Sequence, residues 1–589
     1  MSLRFTTEVT SKAAQPDSSP PATPRAGGGP TTGAPAPLGA VAAGVAGALA
    51  AASSIAVAEL VAGLIPGAPS LVLAIGALVI DFQPAGAKDV VVDLFGTNDK
   101  LALNAVIVAA SLAIAAGLGI AARRRIRRAD IGFVVAGLVA LVAAWREPLV
   151  SLPLAAVTVV VAVAAGLAAL RFLMAPPGSI GIRGTGASDA GIATDRKSAG
   201  RLRRLGLDGG AVPPPGRPST AQVPDWDRRR FLVRSAVLAG TAVVAGGLGR
   251  SLLQGRAEAT PAVSTALPPP RVTVPPLTPA QSLSVPGLTP IVVPNDRFYR
   301  IDTALLTPHI EVDDWRLSVT GMIDRPVELT YAELGALPLF EQYVTIACVS
   351  NRVGGDLVGN ALWTGVRLRE VLAMAGIRSG ATQIVGRSAD GWTAGFPTEH
   401  ALNPDREPMI ALLMNGQPLP VEHGYPARLI VPGLFGYVSA TKWLTEIELT
   451  TLEAFNGYWI PLGWAKAGPI LTQSRIDVPR YGDSVPAGAV TIAGVAWAPD
   501  RGISRVEVSV DGGAWQACTT SQPISSATWL QWQTQVTVPV GNHDIEVRAT
   551  DGTGVVQTAD MSDPAPDGAR GHDRIQITGI SSVSASSMI

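Results

Sequence analysis

Apolar runs at about 39–65, 70–82, 101–122, 131–147 and 151–174 constrain this chain most. Most of them approach the roughly 20 residues that an α-helix needs to cross a hydrocarbon core. A chain with 47% hydrophobic and 16% charged residues, the excess lying almost wholly in its first 250 residues, is too apolar there for a soluble enzyme, and faces such as Gly39-Ala40-Val41-Ala42-Ala43-Gly44 allow the close helix contacts that lipid-embedded bundles require. About five transmembrane helices are therefore expected over 38–175, the second of them short. The preceding residues 1–37, with Pro20-Pro21-Ala22-Thr23-Pro24 and Gly27-Gly28-Gly29-Pro30, lack any apolar period and read as a disordered tail.

Charge orients the spans. Arg123-Arg124-Arg125-Ile126-Arg127-Arg128 and the basic loop 176–227, which carries Arg196, Lys197, Arg201, Arg203 and Arg204, belong on the cytoplasmic side. The amino end starts outside if all three segments before residue 123 cross, and inside if one is re-entrant. Next comes Asp227-Arg228-Arg229-Arg230-Phe231-Leu232-Val233 with an apolar stretch behind it and Ala257-Glu258-Ala259 at its end. The segment 228–250 resembles a twin-arginine export signal with a small-residue cleavage site, and it also suits a plain transmembrane helix with basic flanks. Either reading places residues 260–589 on the extracytoplasmic side of the cell membrane.

The texture then changes. Residues 251–290 hold Pro268-Pro269-Pro270 and Pro275-Pro276, a semi-rigid linker. From 291 to 468 short strand patterns alternate with brief helices, such as those opening at Tyr331-Ala332-Glu333-Leu334 and running through Leu368-Arg369-Glu370-Val371-Leu372, and predict an α+β domain. From 469 to 580 strands separated by turns, including Val506-Glu507-Val508-Ser509-Val510 before Asp511-Gly512-Gly513, predict an immunoglobulin-like β-sandwich. Residues 581–589 are a tail. The chain is thus multi-domain: a helical transmembrane bundle, an α+β domain and a β-sandwich.

Within the α+β domain Thr345-Ile346-Ala347-Cys348-Val349-Ser350-Asn351-Arg352 sets a cysteine on a loop after an apolar strand, with Gly354, Gly355 and Gly359 loosening the backbone. A thiolate there suits a soft metal that must be approached closely. The other cysteine, Cys518, lies far away in a dissimilar context, so a disulfide framework is not expected. Equal numbers of basic and acidic residues, 46 of each, give no field that would draw a nucleic acid.

Five motifs occur in order: Pro294-Asn295-Asp296-Arg297-Phe298-Tyr299-Arg300, the Cys348 loop, Ala361-Leu362-Trp363-Thr364-Gly365-Val366, Met414-Asn415-Gly416-Gln417-Pro418, and His423-Gly424-Tyr425-Pro426-Ala427-Arg428 with Lys442-Trp443. Together they resemble the molybdopterin-binding domain of the sulfite oxidase family. Gly494-Val495-Ala496-Trp497 and Gly541-Asn542-His543-Asp544-Ile545 are similar to that family's dimerisation domain. The resemblance covers about 290–580 and implies molybdenum held by one pterin dithiolene and by the Cys348 thiolate, with possible homodimers. It further implies that Asn295, Phe298, His423, Arg428 and Lys442 surround the pterin and its phosphate, that Arg300 holds an anionic substrate near the metal, and that Tyr458 donates to the oxyanion or relays a proton.

Two departures bear on substrate. Sulfite oxidases carry paired arginines after the Cys-x-x-Asn, whereas here Arg352 precedes Val353, and the tryptophan expected further along is absent from 354–360. A doubly charged oxyanion needs cations to offset its lost hydration. Three functions stand open: oxidation of sulfite or a related small sulfur compound, reduction of a sulfoxide or N-oxide with the same cofactor, and a non-catalytic membrane-anchored interaction module. All five histidines follow the apolar region, so no bis-histidine haem is expected in the bundle, and electrons are expected to pass to a separate external carrier.

Overall fold

Glycine and alanine let helices approach backbone to backbone, and the first half of the chain is built on that property. In the computed structural model the described residues are 39–82, 99–175, 225–258 and 267–581. The predicted tail at 1–37, nearly all of the basic loop 176–227, Ala259 of the cleavage motif and residues 582–589 lie outside them. Helices α1 (Ala40–Leu64), α2 (Leu71–Asp81), α3 (Asp99–Ala122), α4 (Ile126–Trp145), α5 (Leu152–Met174) and α6 (Asp225–Glu258) form one bundle with α1 near its centre. A Cβ added at Gly47 would fall 2.0 Å from the Ala115 carbonyl oxygen, and one at Gly119 would fall 2.1 Å from that of Ala43, so α1 and α3 run antiparallel in backbone contact. Gly249 of α6 meets the Glu59 backbone of α1 at 2.4 Å in the same sense, and these two helices run parallel.

Five of these helices are long and apolar enough to cross a membrane. Their membership differs from the sequence expectation. Helix α2 has 11 residues, about 16 Å of rise against a hydrocarbon core of about 30 Å. The fifth long helix is instead Arg228–Arg256, which continues without a break through the arginine motif.

The α+β domain holds two sheets. One has the order β2 (Val327–Thr330), β1 (Arg316–Gly321), β10 (Leu444–Thr450), β5 (Gln383–Ser388), β6 (Thr393–Pro397); the other runs β3 (Leu339–Ala347), β4 (Val358–Arg367), β7 (Met409–Met414), β8 (Gln417–Pro418), with β9 (Arg428–Ile430) paired to β7. The predicted helix at Tyr331 forms over Tyr331–Ala336 behind a capping box: Thr330 Oγ1 accepts from the Glu333 amide at 3.1 Å and Glu333 Oε2 accepts from the Thr330 amide at 2.8 Å. Strands β3 and β4 pair antiparallel out to Ala347 opposite Val358, and residues 348–357 hang between them as a loop.

Beyond residue 470, four strands (β11, β13, β17, β16) and five strands (β12, β19, β18, β14, β15) make two sheets that enclose one apolar core with Ile492, Val506, Trp532 and Ile545. Here β11 is Gln473–Val478, β12 Ser484–Pro486, β13 Gly488–Trp497, β14 Ile503–Val510, β15 Gln516–Ala517, β16 Thr519–Thr520, β17 Leu530–Val538, β18 Gly541–Asp551 and β19 Asp573–Ile580. The Asp-Gly signal turns β14 into β15 with Asp511 at φ 52° and Gly512 at φ 68°, the left-handed pair such hairpins require. Val495, Trp497 and Trp529 of this unit belong to the core of the α+β domain, so the hydrophobic interior continues across the boundary. Residues 267–290, expected as part of a semi-rigid linker, lie along the domain: Arg271 donates its amide to the Leu339 carbonyl at 2.8 Å, and Gln531 Oε1 accepts from the Leu283 amide at 2.7 Å.

Candidate active site

Cys348 follows the last residue of β3 and is 8% exposed. Its amide donates to the Leu357 carbonyl at 2.9 Å, and Asn351 Oδ1 accepts from the Leu357 amide at 2.9 Å, which folds the loop back on itself. The sulfur faces a pocket lined by Tyr299, Asp302, Arg428, Tyr437, Lys442 and Trp459 among others.

Phe298, buried beneath this pocket, stacks on Tyr299 at 5.3 Å and meets Trp363 and His423 edge-on at 6.0 and 5.6 Å. A Cβ on Gly359 would sit 2.7 Å from its ring, which explains the glycine there. Asn295 is fixed by its amide donation to the Met414 carbonyl at 3.2 Å and by Asn415, which donates to Asn295 Oδ1 at 2.8 Å. Its own carbonyl oxygen lies 3.0 Å from His423 Nε2. Arg428, on β9, donates to the His423 carbonyl at 3.1 Å and lies over the Trp363 ring. Lys442 donates to the Glu422 carbonyl at 2.8 Å and to Asp302 Oδ2 at 3.1 Å.

Burial governs the charges. It pushes His423 down to about 3, with the Arg428 and Lys442 cations adding to the effect, so the ring is neutral. Burial lowers Lys442 to about 8 and Arg428 to about 10, in each case against the pull of Asp302. Asp302 feels the same desolvation, but Lys442, Lys100 and Arg300 outweigh it and hold its carboxyl below the usual range. Tyr299 is raised by burial and then by Cys348.

Among the described residues His423 Nδ1, Arg428 Nε and Thr441 Oγ1 are buried without a hydrogen-bond partner. Arg428 Nε and the Thr441 hydroxyl, unmet buried donors beside two desolvated cations, fit a bound anion with several acceptor oxygens, as a pterin phosphate is, whereas neutral His423, its Nε2–H spent on the Asn295 carbonyl, leaves Nδ1 as an acceptor. A thiol opening on the same pocket supplies the donor a soft metal needs.

Of the residues expected from the sequence, Asn295, Phe298, Cys348, His423, Arg428 and Lys442 come together here. Arg300 and Tyr458 do not line the pocket. Arg300 turns to Asp302 at 3.0 Å and to Thr307 Oγ1 at 2.8 Å, since a carboxylate two residues away is its nearest counter-charge. The Tyr458 ring packs against Trp459, and burial raises its hydroxyl to about 12, with Asp81 and Asp390 adding to that shift. Sequence reasoning missed Tyr299, Asp302 and the tryptophans Trp392, Trp443, Trp459 and Trp464, which form much of the wall. Tyr299 and Trp443 lay inside recognised motifs, whereas Trp392, Trp459 and Trp464 carry no local signal.

Comparison with known proteins accords with this geometry. The model described as Oxidoreductase molybdopterin binding domain matches residues 304–459, and that of the Mo-co oxidoreductase dimerisation domain matches residues 470–563. Human mitochondrial sulfite oxidase is 31% identical over a match covering 44% of this chain and 55% of the relative. Chicken sulfite oxidase, from Gallus gallus, is 30% identical, with 47% and 70% covered. An NADH nitrate reductase of Oryza sativa subsp. japonica is 29% identical, with 41% and 33% covered. The chain spans about half the length of the first of these relatives.

Proposed function

The chain belongs to the sulfite oxidase family of molybdopterin-dependent oxidoreductases, and from that premise we propose a membrane-anchored enzyme that oxidises sulfite or a related small sulfur compound outside the cytoplasm. The observation that carries the proposal is the meeting of Cys348 with the buried cations Arg428 and Lys442 around one pocket.

When bound, the molybdenum cofactor supplies oxygen-atom transfer with storage of two electrons, which side chains do not provide. Cys348 would hold the metal through its thiolate. Arg428, Lys442 and the donors around His423 and Asn295 would hold the pterin and its phosphate, and neutral His423 keeps the cradle from gathering a further positive charge. Trp459, Trp464 and Tyr437 wall the pocket and limit water beside the sulfur. Tyr299, the phenol beside Cys348, is the residue positioned to donate a hydrogen bond to substrate.

Placement follows from charge. The run 123–128 and the basic residues Arg196 to Arg204, read as cytoplasmic by their charge, put the opposite ends of α3, α4 and α5 outside, next to the catalytic domain. With α1 antiparallel to α3, its amino end lies inside, and α2 acts as a half-length outer element. The reading treats Arg228–Arg256 as a retained anchor or an export signal of the twin-arginine type. The matched dimerisation domain, here taken as an immunoglobulin-like sandwich, supports a homodimer. Electrons leave to a separate external carrier.

A second reading, reduction of a sulfoxide or N-oxide, is favoured by one observation: Arg300 is committed to Asp302, and the lining cations Arg428 and Lys442 belong to the cradle. A neutral substrate against aromatic walls needs no further cation. Purified full-length protein assayed with sulfite plus ferricyanide, and with a sulfoxide plus reduced viologen, separates the two. Turnover in neither assay, with molybdenum present, overturns both.

A further inference from the structure

The bundle does more than lie beside the catalytic domain: it grips the two segments that form the rim of the Cys348 pocket. The first rim segment runs through Ile301, Asp302 and Thr303, all lining residues. From the start of α3, Lys100 Nζ donates to Asp302 Oδ1 at 2.8 Å and to the Ala304 carbonyl at 2.7 Å, bracketing Thr303. One residue on, Leu305 enters the bundle at Gly76 of α2, where a Cβ would meet its Cδ1 at 2.7 Å. The second segment carries the lining residues Asp390 and Trp392, and between them Gly391 packs on Pro148 of the α4–α5 connection, whose Cγ would lie 2.9 Å from a Cβ there. Glu147 faces the same place, and its carboxyl is pushed up to about 7 by burial, then by Asp81 and Asp390.

The key group is the Asp302 carboxylate, 5% exposed at its side chain. One oxygen takes Lys100 of the bundle; the other takes Lys442 of the cradle at 3.1 Å and Arg300 at 3.0 Å. We propose that Lys100 is a positioning residue of the active site, which through Asp302 fixes Lys442 and the pocket rim, so that the helical bundle completes the site instead of merely anchoring it. This rests on the reading of the pocket given above. Without Lys100 the carboxylate is free to rotate wholly onto Lys442 and Arg300, drawing Lys442 away from an anion in the cradle, while segment 301–305 loses two of its ties. A carboxylate that is itself buried and shared between units transmits such a shift because it has little water to turn to when one cation is lost.

The test uses full-length protein in detergent or nanodiscs, comparing wild type with Lys100→Met, Lys100→Arg and a control, Arg171→Met, which breaks the Arg171–Asp130 pair at the far end of the bundle. Hydrogen–deuterium exchange is the cofactor-independent readout. Lys100→Met should speed exchange in 299–309 and 388–392 and leave the C-terminal sheets unchanged, Lys100→Arg should restore protection, and Arg171→Met should leave both rim segments as in wild type. In active protein, Lys100→Met should lower kcat/KM by on the order of ten- to a hundredfold, as small misplacements at active sites do, with recovery in Lys100→Arg. Unchanged exchange in both rim segments of Lys100→Met, or equal loss in Arg171→Met, overturns the proposal. Absence of molybdenum from wild type would sink the functional reading but leave the exchange result to decide this one.

Discussion

The catalytic domain has two neighbours, and it holds them by different means. The C-terminal sheets share its interior: Trp529 is 1% exposed within the catalytic core, its indole donates to the Ile291 carbonyl at 2.9 Å, and its amide donates to Thr345 Oγ1 at 2.8 Å. The helical bundle reaches the domain through a charged pair, a leucine and a proline at the pocket rim. A seam of buried aromatic and hydrogen-bonded groups makes the first pair of units one cooperative body. A sparse seam at the working face leaves the second joint able to affect the site with little effect on domain stability.

That contrast can be broken first at the strong seam. Trp529→Ala removes a large side chain from a shared core and should cost about 3–5 kcal/mol. Thermal unfolding of the full chain, followed by near-ultraviolet dichroism, should then show the catalytic and C-terminal units melting together at lower temperature; a lowered transition confined to the C-terminal sheets would mean the core is not shared. Next comes the bundle. Gly119→Val places side-chain atoms where the Ala43 carbonyl stands 2.1 Å from a Cβ, an overpacking cost of about 1–3 kcal/mol. Helix separation should follow, read by cross-linking between α1 and α3, with the thermal transition of the catalytic domain unmoved. A fall in that transition equal to the one in Trp529→Ala would erase the distinction.

The most gradual effect is a pH dependence. His423, ordinarily near 6.5, is held at about 3, so between those values the unfolded chain binds more protons than the native one. Stability of the catalytic domain should therefore decline as pH falls from 6.5, by at most about 1.4 kcal/mol per unit. His423→Gln should flatten that slope when unfolding midpoints are measured from pH 7 down to 4. The Trp529 seam, which has neutral partners, should not contribute. Parallel wild-type and variant curves would show that His423 is charged or solvated in the native domain.

How much of this was legible beforehand depends on the range of the interaction. Apolar runs announce helices, and Thr330 three residues before Glu333 announces a helix start, because those signals are local. Cys348 stood out by its strand-end loop and by its motif. The Lys100–Asp302 pair, 202 residues apart, left no mark, and neither did the Trp529–Thr345 bond across 184 residues. Periodicity reports which face of an element is buried but not against what. For the same reason α2 reads as a possible span from its composition, while its length and its contact with Leu305 put it in the half of the bundle that meets the catalytic domain. Arg300 has the right charge for an oxyanion, yet Asp302 lies close enough to claim it.

The central claim is that Cys348 contributes a sulfur to molybdenum beside a pterin. It is tested most directly by molybdenum and pterin analysis of matured full-length protein, together with X-ray absorption at the molybdenum edge, in wild type and in Cys348→Ser. Wild type should contain molybdenum and pterin, and the variant should show one fewer sulfur neighbour at the metal and lose turnover. Wild-type protein with neither molybdenum nor pterin, or an unchanged sulfur count in Cys348→Ser, would contradict the account.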